Sequence, residues 1–183
     1  VTKLELEALT QGAVHQGVAM EIAAYDYADA LELLDRVSAT GRKPLFVALD
    51  QVTDPHNLGA VLRSAGAFGV DGVIIPQRRS ADVNATVWKV SAGAAARVPV
   101  AKETNLVRTL EAFKARGCFV VGLDGNGSVS VDNLNLADQP LVLVTGAEGK
   151  GLSRLVRQTC DEIASISIRA AVESLNAAVA TGI

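Results

Sequence analysis

Five short aliphatic runs punctuate the chain: Leu45–Leu49, Gly72–Ile75, Phe119–Leu123, Leu141–Thr145 and Ile163–Ile168. Runs of this length that stay apolar at both alternating positions are the pattern of strands covered on both faces. Between them, apolar residues recur at helical spacing in three stripes. These are Leu58, Val61, Leu62 and Ala65; Leu106, Leu110 and Phe113; and Leu152, Leu155 and Val156. Strands alternating with helices of this length predict βαβ units, hence an α/β fold with a mostly parallel sheet and helices on both faces. A weaker helical period runs over Ala28–Val37, and another closes the chain from Leu175 to Ile183. The stretch from Ser38 to Pro44 reads as a loop by its Ser, Thr, Gly and Pro content. The domain proper is therefore expected over residues 43–183, behind a lead segment of residues 1–42. The chain opens at Val1 and stops within an apparent helix, so further sequence is expected at both ends.

Composition narrows the core. Hydrophobic residues make up 49% of the 183 and aromatic residues only 4%, so Val, Leu, Ile and Ala must fill the interior. The formal net charge of −3 gives no support to nucleic-acid binding, but the charges are unevenly spread. Residues 1–36 carry two basic side chains, Lys3 and Arg36, against seven acidic ones, which leaves the remainder mildly basic. Cys118 and Cys160 have no flanking His and no CxxC spacing, so buried free thiols in a reducing cytoplasm are expected rather than a metal site. No apolar run reaches the length of a membrane span, and no signal-peptide pattern opens the chain.

Candidate chemistry sits in the loops after the strands, where α/β proteins bind ligands. Gly146-Ala-Glu-Gly-Lys-Gly151 opens with P-loop spacing, but Leu152 follows where that motif needs Lys and Ser or Thr. Gly122-Leu-Asp-Gly-Asn-Gly127 is GxxGxG, not the dinucleotide fingerprint. These failures make an NAD or nucleotide enzyme improbable. Asp54-Pro55-His56-Asn57 follows the first strand and opens a helix, with Asp54 or Asn57 suited to cap it and Pro55 to its first turn. His56 reads as an exposed first-turn residue, and His15 as structural. Further along that helix stands Arg63, with Gly59 four residues before and Gly66 three after, an arrangement that also fits a surface arginine over tight packing. Glu148 sits between two glycines on an exposed turn, where a ligand or interface role weighs evenly with a solvated one.

Taken in order, these pieces resemble the SpoU family of RNA ribose 2′-O-methyltransferases. Asn57-Leu-Gly-Ala-Val-Leu-Arg63, closing at Phe68-Gly69, is similar to its first motif. Leu143-Val-Thr-Gly-Ala-Glu148-Gly-Lys-Gly-Leu152 is similar to the second, and Ser174-Leu175-Asn176 to the third. Asn84-Ala-Thr and Ser91-Ala-Gly-Ala also look like the family. Gly12-Ala-Val-His-Gln-Gly17 resembles the junction after the small RNA-binding domain of the branch that modifies ribosomal RNA, making residues 1–42 the tail of such a domain. Ser167 and Ala170 stand where the family usually has Pro and Gly.

The resemblance implies a C-terminal trefoil knot that forms an S-adenosylmethionine pocket and much of a homodimer interface. It implies catalytic roles for Arg63, Asn57, Glu148, Ser174 and Asn176. Cofactor contacts are expected at Leu123, Gly125, Gly146, Gly149, Ile166, Ile168 and Leu175, with no metal. The expected substrate is RNA, a guanosine of large-subunit ribosomal RNA. Transfer RNA as substrate, or a non-catalytic RNA-binding module on the same fold, are the alternatives.

Overall fold

The structure is a computed structural model that describes the whole chain except residues 11, 13, 137 and 169–173. At its centre is a seven-stranded sheet, parallel at every pairing among the described residues, in the order β3-β2-β1-β6-β4-β7-β5. The strands are β1 (Leu45–Asp50), β2 (Gly72–Pro76), β3 (Val100–Glu103), β4 (Phe119–Leu123), β5 (Val129–Ser130), β6 (Leu141–Gly146) and β7 (Glu162–Ser165). Parallel strands need crossovers, and helices supply most of them: α3 (Pro55–Phe68), α4 (Ala85–Val90), α5 (Leu106–Ala115) and α6 (Arg154–Thr159). Helices α1 (Lys3–Leu9) and α2 (Ala30–Ser38) precede the sheet and α7 (Ala177–Gly182) follows it.

Successive strand side chains point to opposite faces, so one aliphatic run feeds two cores. Phe46, Ala48 and Ile74 face one way, into a core with Leu33 and Leu34 of α2, Leu110 and Phe113 of α5, and Val156 of α6. Val47, Leu49, Val73 and Ile75 face the other, against Leu58, Val61, Leu62 and Ala65 of α3, Val87 of α4 and Ala178 of α7. The helices thus cover both faces. Phe46 and Phe113 meet edge to face, with ring centroids 5.1 Å apart. On the opposite face α3 and α4 approach until a Cβ on Gly59 would lie 2.7 Å from that of Val90, which only glycine permits.

All five aliphatic runs contain strands, and the stripes fall on α3, α5 and α6, except that Leu152 of the third lies just ahead of α6, whose N-cap is Ser153. The expected strand Ile163–Ile168 ends at Ser165, because its outer neighbour β5 offers only two residues to pair with, Val129 and Ser130. Strand β3 was not legible because only Val100 and Ala101 are buried, while Lys102 and Glu103 give it the composition of a loop. The packed body also includes residues ahead of Lys43. Asp29 caps α2, three leucine and alanine positions of that helix are in the core, and the Ala28 N–H donates to Val100 O at 2.9 Å beside β3.

Replacing Phe113 by Ala empties a buried ring site against Phe46, and urea unfolding is expected to show a loss of about 3–5 kcal/mol. Burial pushes the thiols of Cys118 and Cys160 up to about 11. At pH 8 only about a thousandth of each is then thiolate, so a disulfide-exchange reagent should titrate both slowly in the native chain and at once in guanidinium.

Candidate functional site

Because the strands are parallel, their carboxyl ends share one edge of the sheet, and the loops leaving β1, β6, β4 and β7 stand side by side there. Asn57 enters this edge from the first turn of α3, Glu148 from the turn after β6, and Asn176 as the residue that caps α7. Glu148 Oε1 accepts from Asn57 Nδ2 at 2.9 Å, from Asn176 Nδ2, and from the Ala177 backbone N–H at 3.4 Å. An ionised carboxylate can only accept, so both amides must turn their nitrogens toward it. That leaves Asn57 Oδ1 to accept from Asn176 Nδ2 at 2.8 Å, and Asn176 Oδ1 to accept from the N–H groups of Ala178 and Val179 at 2.9 and 3.3 Å. Three segments separated by 91 and 28 positions in sequence close into one polar cluster.

The turn that carries Glu148 is held from several sides. A Cβ on Gly146 would lie 2.2 Å from the Gly151 carbonyl carbon, so the turn closes on a backbone that no side chain could pass. The Gly151 N–H donates to Ala147 O at 2.8 Å. Buried Asp50, at the end of β1, accepts from the Ser153 N–H at 2.6 Å, tying the first strand to the start of α6. Asp124, just past β4, pairs with Arg157 of α6 at 2.6 Å and accepts from the Asn126 N–H at 2.9 Å. The hydroxyl of Thr181 donates to Ala177 O at 2.7 Å, so Thr145 at the end of β6 donates to Thr181 at 2.9 Å and fastens α7 to the sheet. The expected cluster did not include Asp50 or Asp124. Their signal was positional, each a carboxylate directly after a buried aliphatic run.

Arg63 lies farther along α3, exposed, and its side chain makes no ion pair or hydrogen bond with the described residues. Ser174 is exposed and likewise makes no side-chain hydrogen bond among them. His56 is exposed, with Nδ1 3.0 Å from Asp54 Oδ1. The backbone N–H of His56, and then its ring, hold the Asp54 carboxyl below the usual carboxylate range. Leu123 ends β4 and Gly146 ends β6, on neighbouring strands. Around them, a Cβ at Gly125 or Gly149 would meet no atom within 4 Å. Ile166 and Leu175 are half-buried and Ile168 is 39% exposed, so apolar side chains line the same edge as the polar cluster. Arg169 and Ala170 lie outside the described residues. Among the described residues no cluster of three His, Cys, Asp or Glu side chains is placed to hold a metal ion, and no helix is long and apolar enough to cross a membrane.

The parallel α/β sheet thus gathers Asn57, Glu148 and Asn176 at its carboxyl edge beside open glycine turns, the place where α/β domains bind ligands. Residues 44–183 match the SpoU rRNA Methylase family, and the chain belongs to it. A protein of Mycobacterium avium (strain 104), described as an uncharacterized tRNA/rRNA methyltransferase, is 53% identical over 184 residues, which cover all of this chain and 59% of that protein. The chain thus spans about three fifths of the length of the curated relatives it matches. Among solved structures, the SpoU methyltransferase AviRb of Streptomyces viridochromogenes in complex with AdoMet superposes with a TM-score of 0.74. It is 31% identical, and the match covers 88% of this chain and 62% of that one. A TrmH/SpoU tRNA-modifying enzyme of A. aeolicus matches at a TM-score of 0.68 and 28% identity, over 82% of this chain and 79% of that one.

Glu148→Ala removes the shared acceptor and frees the start of α7, whereas Glu148→Gln keeps an oxygen for one amide. A double-mutant cycle of Glu148→Ala with Asn176→Ala, read by urea unfolding, is expected to show a coupling of about 0.5–1 kcal/mol, given the exposure of the cluster. Glu148→Gln should fall between the native chain and Glu148→Ala.

Proposed function

We propose that the chain is the catalytic domain of an RNA ribose 2′-O-methyltransferase that uses S-adenosylmethionine, and that its target is a guanosine of large-subunit ribosomal RNA. The observation that carries this reading is the single polar cluster built by Asn57, Glu148 and Asn176, one residue from each of the three motifs. Family membership and the AdoMet complex of a 31% identical structure support the cofactor. The edge itself fits such a group. Gly125 and Gly149 leave space beside the backbone, and Leu123, Gly146, Ile166, Ile168 and Leu175 offer main-chain atoms and apolar walls suited to a nucleoside.

When bound there, S-adenosylmethionine supplies an electrophilic methyl carbon. The chain's own part is positioning and charge. A ribose 2′-oxygen would have to be aligned with that carbon and give up its proton as the C–O bond forms and the methyl–sulfur bond breaks, its electron pair passing to a neutral thioether. An arginine guanidinium keeps its proton in proteins, so Arg63 acts as a charged donor rather than as a base. Exposed and unpaired among the described residues, it is free to hold the 3′ phosphate through two parallel N–H bonds, orient the ribose, and stabilise the developing oxyanion. The hydroxyl proton then leaves to water. Asn57 fixes the first turn of the helix that carries Arg63, Glu148 locks Asn57 to Asn176, and Ser174 and Asn176 present the segment leading into α7 to the bound groups.

Two further parts of the reading concern assembly. Phe68 is 67% exposed at the end of α3, and Val179 and Ile183 are exposed on and just after α7, which packs against α3 with Gly182 beside Ser64. Apolar side chains left outward on two packed helices support a homodimer formed through this face. The expected C-terminal trefoil knot falls partly on residues 169–173, which lie outside the described residues, and family membership supports it. The free thiols suit a reducing cytoplasm.

Methyl transfer from labelled S-adenosylmethionine to ribosomal RNA from a strain lacking the gene, followed by mapping of the methylated nucleotide, tests this assignment. Arg63→Ala is expected to lower turnover by about 100-fold or more while leaving cofactor affinity within a few-fold, and Arg63→Lys should be nearly as harmful because a point charge cannot grip bidentately. Near-normal turnover in Arg63→Ala would remove Arg63 from the mechanism.

A further inference from the structure

The loop after β2, residues 77–84, carries two adjacent arginines that the cluster above does not use. Arg78 and Arg79 are both exposed, and neither makes an ion pair or hydrogen bond with the described residues. Arg79 sits at φ +59°, in the left-handed region that residues other than glycine rarely adopt.

The loop around them is tightly built. Ser80 Oγ donates to Pro76 O at 2.6 Å, the Val83 N–H donates to the Tyr27 hydroxyl at 3.0 Å, and Asn84 caps α4 by accepting from the Val87 N–H at 3.1 Å. Its one carboxylate, Asp82, is already engaged by Lys102 and by the Tyr27 hydroxyl, and Lys102 also lies over the Tyr27 ring. Asp82 is therefore committed elsewhere and leaves the two guanidinium groups uncompensated.

Position gives this charge a use. The Ala81 N–H donates to Val52 O at 2.9 Å, tying the arginine loop to the segment that leads through Asp54 into α3. Strand β2 lies next to β1, and β1 next to β6, so the loop stands one strand over from the cluster on the same edge of the sheet. Side by side, two unpaired guanidinium forks match the oxygens of a phosphodiester backbone. No free aromatic face accompanies them, since Tyr27 is half-buried with its hydroxyl engaged. The chemistry therefore suits phosphate rather than a stacked base.

We propose that Arg78 and Arg79 form a phosphate-gripping loop that guides an RNA strand toward the cluster of Asn57, Glu148 and Asn176. The proposal rests on the RNA reading above and adds a second anchoring point to it. Contacts of this kind fix register and supply salt-sensitive affinity without reading sequence.

The chain and its Arg78→Gln/Arg79→Gln variant are compared by filter binding of ribosomal RNA from a strain lacking the gene, across a potassium chloride series. Steady-state methyl transfer to that RNA and calorimetry with S-adenosylmethionine are run in parallel. Expected are a roughly tenfold loss of RNA affinity and a plot of log affinity against log salt that is shallower by roughly 1–2 units. The defect should fall on the KM for RNA far more than on kcat, with cofactor affinity held. Arg79→Gly separates binding from folding. Glycine adopts φ +59° freely, so this variant should hold or raise the melting temperature while weakening RNA binding. Unchanged affinity and unchanged salt slope in the double variant would overturn the proposal. An absence of methyl transfer by the unaltered chain would sink the catalytic reading, while the salt series would still decide this one. No retention of RNA by the unaltered chain would end both.

Discussion

One carboxylate oxygen organises the candidate site. Glu148 Oε1 gathers donors from the start of α3 and the start of α7, and the turn that carries it is closed so tightly at Gly146 that no larger residue fits. Remove the acceptor and each amide loses the group that dictates its orientation. The Asn176 cap on α7 and the Asn57 position on α3 then become independent of one another. Asn57 and Asn176 have no apolar role that would hold them together, so the electrostatic demand of the carboxylate is what makes one surface of three turns.

This arrangement depends on strand order. Strand β6 inserts between β1 and β4, so the turn bearing Glu148 emerges next to the start of α3 on one side and next to the Leu123–Gly127 turn on the other. Asp50 and Asp124 then fasten the two flanks of that turn to α6, one through the Ser153 N–H and the other through Arg157. The sheet supplies proximity and the carboxylates supply registration.

Much of the fold was legible because both faces of this sheet are covered. A strand buried on both sides must be aliphatic throughout, which is why β1, β2, β4 and β6 stand out as continuous runs. The edges escaped for the complementary reason. β3 buries only Val100 and Ala101, and β5 pairs through just two residues, so neither carries a pattern that differs from a loop. Within the site, Asn57, Glu148 and Asn176 were singled out through the family's motifs, not through spacing, because separations of 91 and 28 positions hide a contact that only the sheet order creates. The place of Asp50 after an aliphatic run marks a carboxylate at the sheet edge but not its partner, the Ser153 N–H, which lies 103 positions away.

Charge shows why whole-chain averages mislead here. A net charge of −3 argues against an RNA partner, yet the acidic excess lies in the first 36 residues, and the loop one strand over from the cluster presents Arg78 and Arg79, whose side chains are unpaired among the described residues. A phosphate backbone responds to the field within about 10 Å, the screening length near physiological salt, and not to charge summed over the chain. Two acidic side chains close to that edge are paired with cations, and a third accepts from a backbone donor. Asp82 is held by Lys102, Asp124 by Arg157, and Asp54 by the His56 N–H. Pairing of Asp82 and Asp124 with cations leaves the charge of Arg78 and Arg79 uncompensated within their own loop, in a molecule that is negative overall.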